Sequence, residues 1–207
     1  MNRLICVIVL VFLAAITRAQ SLPEASSPSL DREVYSTVSR LYTKVMQRKP
    51  LGLLGGKDRQ IFTSYLSRGL RAKMNSAQLC QADWTRQEKH KPQNDVPEKS
   101  PIAWSETGLF TGDEQLAEPS SFVIEKTEPQ KDGSFLVYVK LTGGAPPHTP
   151  WNWEVAVRVV KEDHPAIDDV TYLKGSEIPN EYHLSSLLRE GCDGPRWVGV
   201  EQKLPRK

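Results

Sequence analysis

The hydrophobic period of this chain changes near Phe110. Before that point apolar residues recur every third or fourth position, and after it they alternate. Val34, Val38, Leu41 and Val45 form one helical stripe, flanked by Tyr35 and Tyr42. Ser29 is placed to cap this helix, which should run to about Arg48. Pro50 and Gly55-Gly56 break the pattern. Ile61, Phe62, Tyr65 and Leu66 predict a second helix from near Asp58. Leu70, Met74, Ala77 and Trp84 continue it after a bend at Ser67 to Gly69. Residues 86–103, with three prolines and many charges, read as a long loop.

Beyond Phe110 the signals are those of strands. Ser121 to Glu128 is β-prone, and Asp132-Gly133 is a hairpin turn. Phe135, Val137, Val139 and Leu141 alternate with residues facing the other way. So do Trp151, Trp153, Val155, Val157 and Val159, after a loop from Gly143 to Pro150. A turn around Asp163 leads into Ile167 to Lys174. Asn180 is placed to cap a last helix carrying Leu184, Leu187 and Leu188, with Gly191 as its stop. The expectation is an α+β domain over residues 30–200. N-terminal helices pack on an antiparallel sheet of about four strands, followed by a short C-terminal helix.

Residues 1–19 are expected to be a secretory signal peptide. Arg3 supplies the charged start, Leu4 to Ile16 is uncharged, and Thr17 and Ala19 flank a cut before Gln20. The apolar run is short for a membrane span, which needs about 20 residues. Residues 20–29 read as a Ser- and Pro-rich leader, and 201–207 as a basic tail. Arg3 and Arg18 account for the whole formal net charge of +2, so the rest of the chain is balanced. No global charge then favours nucleic acid as a partner. Outside the expected signal peptide two cysteines remain, Cys80 and Cys192, and an oxidising compartment allows them a single pairing. Sequence leaves open whether geometry permits it.

The pieces Tyr65-Leu66-Ser67 with Leu70, Pro119 to Phe122, and Trp153 to Val157 resemble bacterial exported proteins of domain-of-unknown-function family 3828. So do Ile167-Asp168-Asp169-Val170, Leu184 to Cys192, Gly194-Pro195 and Trp197 to Gly199. Pro165 departs from that pattern, since an aromatic residue commonly stands two places before the Ile-Asp-Asp signature. The resemblance spans about two thirds of the chain and implies a nuclear-transport-factor-2-like fold, a cone of helices wrapped by a curved sheet. It assigns no activity.

Motifs of serine hydrolases, zinc proteases, phosphate loops and dinucleotide folds do not occur. His90, His148, His164 and His183 are scattered, so no metal site and no cofactor is expected. Asp169 is the candidate for chemistry. Strand alternation places it with Ile167, Thr171 and Leu173, facing the helices, as a general base or as a carboxylate that fixes its strand. Trp151 and Trp153 share a strand face, as a stacking platform or as core anchors. Trp104, in irregular sequence, is a candidate pocket or lid residue, and Tyr65 a further pocket candidate. Arg40, Lys44 and Arg48 follow i, i+4, i+8 and form a basic stripe that could meet an acidic partner or could simply be solvated. The function expected is an exported, non-enzymatic binding module that holds a small apolar or peptide ligand in a helix–sheet cavity. The alternatives are a cavity isomerase or hydrolase using Asp169, and an interaction or inhibitor protein of the envelope using the basic stripe.

Overall fold

A computed structural model describes residues 28–92, 95–113, 118–144, 150–176 and 178–199. The expected signal segment, nearly all of the leader and the basic tail lie outside the described residues. The helical stripes form α1 (Pro28–Arg48), α2 (Gly56–Thr63) and α3 (Arg68–Lys89). Val34, Val38, Leu41, Tyr42 and Val45 on α1, and Leu70, Met74, Ala77 and Cys80 on α3, are all buried. The expected bend is a full break. Ser67 caps α3, its hydroxyl accepting the Leu70 N–H at 2.9 Å.

The alternating segments form β1 (Pro119–Pro129), β2 (Phe135–Gly143), β3 (Trp151–Lys161) and β4 (Pro165–Tyr172). Each pairs antiparallel with the next. A fifth strand, β5 (Tyr182–His183), extends the sheet beyond β4, giving the order β1-β2-β3-β4-β5. The sheet therefore has five strands, where the sequence suggests about four. β5 takes up residues expected to begin the last helix. That helix, α4 (Leu184–Leu187), starts after His183 instead of Asn180. A small hairpin, β6 (Cys192–Asp193) and β7 (Arg196–Trp197), completes the fold. The α+β architecture holds, and Pro165 does open its strand.

One face of β2, β3 and β4 presents Phe135, Val137, Val139, Leu141, Trp153, Val155, Val157, Val159, Ile167, Val170 and Tyr172. Together with the helical stripes these form one core. Irregular sequence enters this core as well. Leu109, Phe110, Thr111 and Gly112 are buried, although no periodicity marks them. A buried loop needs partners for its carbonyls. Tyr42 of α1 donates to Phe110 O at 2.7 Å, Tyr172 of β4 to Leu109 O at 2.8 Å, and Trp153 Nε1 of β3 to Thr111 O at 2.7 Å. Three large aromatics, from both layers, thus hold the segment between them. Gly112 is obligatory in this packing. Its φ is +71°, and a Cβ there would lie 2.5 Å from the Tyr172 ring.

Candidate functional site

The Ile167 to Val170 signature is built around a β-bulge. Arg158 pairs with Asp169 and Val159 with Ile167, so Asp168 is the extra residue. Beyond the bulge the alternation shifts by one. Val170 and Tyr172 face the core, and Asp169 shares the opposite face with Arg158 and Thr171. Asp169 therefore does not face the helices with Ile167, as simple alternation predicts. It accepts the Ser185 N–H at 2.9 Å, the Ser185 hydroxyl at 2.6 Å and the Val170 N–H at 2.9 Å. Its role is to tie the start of α4 to β4. Asp168 does the same for α3, accepting the hydroxyl of the capping Ser67 at 2.7 Å.

Ser185, Asp169 and His183 are neighbours, but not in catalytic order. The Ser185 hydroxyl donates to the carboxylate, and His183 Nδ1 lies 3.9 Å from Asp169 and 3.1 Å from the Thr171 hydroxyl. A serine nucleophile needs its proton directed at a base such as imidazole.

Trp104 is buried among other tryptophans. It is 4% exposed, its ring centroid 5.9 Å from that of Trp84 and 5.2 Å from that of Trp197. Trp153 is a core anchor, while Trp151 is partly exposed at its edge, 5.8 Å away between ring centroids. The Trp197 end of the β6–β7 hairpin is clipped to α3. Cys80 and Cys192 are joined by a disulfide across 6.0 Å between Cα atoms. Asp83 accepts the Trp197 N–H at 2.9 Å, and this hydrogen bond, ahead of Gln87 and nearby arginines, holds the Asp83 carboxyl below its ordinary value.

Of the three pocket candidates, Tyr65 lines an open groove. The groove, of about 620 Å³, runs between α1, the α2–α3 link and the β3–β4 turn. Arg32, Ser36 and Arg40 come from α1 at i, i+4 and i+8, with Glu33 and Thr37 beside them. Ser64 and Tyr65 form the opposite wall, closed by His164 and Pro165. Backbone pairing sets that wall: Ile167 N–H donates to Tyr65 O at 2.8 Å, and Ser67 N–H to Ile167 O at 2.7 Å. His164 Nε2 lies 3.4 Å from Ser64 O. Ligand sites commonly measure about 300–1,000 Å³, so the groove has the size of one.

The basic stripe divides along α1. Arg48 pairs with Asp58 at 2.8 Å, and Lys44 bonds Gln47 at 3.1 Å. Among the described residues, Arg40 bonds within α1, through Ser36 O at 3.3 Å and the Thr37 hydroxyl at 3.5 Å. Arg32 and His164 were not anticipated as site residues. Arg32 continues the Arg40 stripe by two turns, a signal present in the sequence. His164 reaches the groove only through the β3–β4 turn, which no local pattern announces. Among the described residues, no group of three or more His, Cys, Asp or Glu is placed to hold a metal ion, and no helix is long and apolar enough to cross a membrane.

Comparison with protein-family models, curated proteins and solved structures gives no match. The functional reading therefore rests on the chain's own geometry.

Proposed function

We propose that this chain is an exported, non-enzymatic binding module whose ligand, a small molecule or a peptide segment, lies in the α1 groove against Tyr65. The groove carries this reading. It is open, of ligand size, and combines an aromatic wall with polar and charged side chains. The helix–sheet interior is a weaker place for a ligand, because the aromatic-anchored segment Leu109 to Thr111 occupies space between α1 and the sheet. Both carboxylates of the signature are engaged at helix starts, which favours binding over catalysis. The Cys80–Cys192 disulfide supports export to an oxidising compartment. The likeness to exported family 3828 proteins and the nuclear-transport-factor-2-like cone belong to the same proposal.

Ligand-observed NMR against a library of small polar molecules and short peptides tests this. Hits should lose their signal with Tyr65→Glu, keep it with Asp169→Asn, and be recovered chemically unchanged. Turnover of a hit that Asp169→Asn abolishes would instead establish the enzyme alternative.

A further inference from the structure

Resting on the groove reading, we infer that the occupant is an acidic peptide in extended conformation, its carboxylates seated on Arg32 and Arg40. The two arginines lie on one face of α1, eight residues apart, which at 1.5 Å per residue is about 12 Å. In an extended strand, residues i and i+4 point the same way and lie about 13 Å apart. Acidic side chains at those positions meet the two guanidinium groups together. Both arginines are exposed. Among the described residues, no carboxylate oxygen lies in salt-bridge range of Arg32 or Arg40, nor of Arg59, Arg71, Arg189 or Arg196, while Arg48, Arg68, Arg86 and Arg158 have acidic partners. Among the described residues lining the groove, Glu33 alone is acidic. Ser36, between the arginines, brings a hydroxyl to the backbone of such a peptide, and Tyr65 faces its middle. A guanidinium receives a carboxylate in bidentate fashion, which suits paired acidic side chains.

The test uses two blocked five-residue peptides, one with aspartate at both ends and threonine, valine, threonine between, the other with asparagine at both ends. Inorganic triphosphate is a third probe. Amide shifts of Tyr65 and His164 report occupancy of the groove. The aspartate peptide should shift them, with affinity falling as salt rises. Arg32→Glu with Arg40→Glu should weaken it by about tenfold or more, since two ion pairs are lost and reversal adds repulsion. Both substitutions are at exposed positions, and a peptide with lysine at both ends should bind the reversed protein better than the original. Lys89→Glu, exposed at the end of α3 (Arg68–Lys89) that lies away from Tyr65, should change nothing. Equal binding of the asparagine peptide, insensitive to the arginine reversal, would overturn the inference and leave the groove reading standing. Binding of triphosphate with no binding of the aspartate peptide would also overturn it. Shifts confined to residues outside the groove, for every probe, would overturn both.

Discussion

Asp169 shows how little a residue's identity says about its work until its neighbours are known. Two adjacent aspartates on a strand could be a catalytic pair. Here a one-residue bulge turns them to separate tasks, Asp168 on the cap of α3 and Asp169 on the start of α4. Asp169→Ala would leave the N–H groups of Ser185 and Val170 and the Ser185 hydroxyl without their acceptor. Losing partners for part-buried donors costs about 1–3 kcal/mol. For a domain of this size each kcal/mol lowers Tm by about 2–4 °C. Thermal unfolding should therefore show a drop of several degrees, while Tyr65-dependent binding is unchanged. An unaltered Tm with lost binding would place Asp169 in the site instead of the scaffold.

At the scale of elements, the two periods were legible wherever one face of an element meets the core. Val34 to Val45 on α1 and Phe135 to Leu141 on β2 are buried in the registers their spacing predicts. Three things were hidden. The bulge at Asp168 alters phase without altering composition. β5 has two residues and exists only through its pairing with β4. The stretch from Leu109 to Gly112 is buried, its carbonyls held by long-range hydrogen bonds from Tyr42, Trp153 and Tyr172, which leave no periodic trace. The Cys80–Cys192 link belongs to this scale too, since it fastens the β6–β7 hairpin to α3. It joins residues 112 apart, and the loss of chain entropy in the unfolded state for a loop of that length corresponds to about 4–5 kcal/mol. Cys80→Ala with Cys192→Ala should lower Tm by about 8–20 °C. Reductant should lower the Tm of the unaltered protein and leave the double variant where it is. A Tm indifferent to both would mean that Asp83, Gln87 and Trp197 hold the hairpin on their own.

Over the whole molecule, the distribution of filled and open space directs the functional reading. Aromatic side chains from both layers converge on the Leu109 to Thr111 backbone, and the faces of β2, β3 and β4 turned toward the helices are buried. A ligand-sized opening lies outside that core, where α1 passes the start of β4. The site depends on long-range assembly, because Arg40, Tyr65 and His164 come from three separate segments. Sequence could name Arg40 and Tyr65 individually but could not bring them together. A crystallographic fragment screen locates the ligand site most directly. Bound fragments should lie between Arg32, Arg40, Tyr65 and His164, with the helix–sheet interior unoccupied. Fragments seated between α1 and the sheet, or beside Asp169 with the groove empty, would contradict the groove reading.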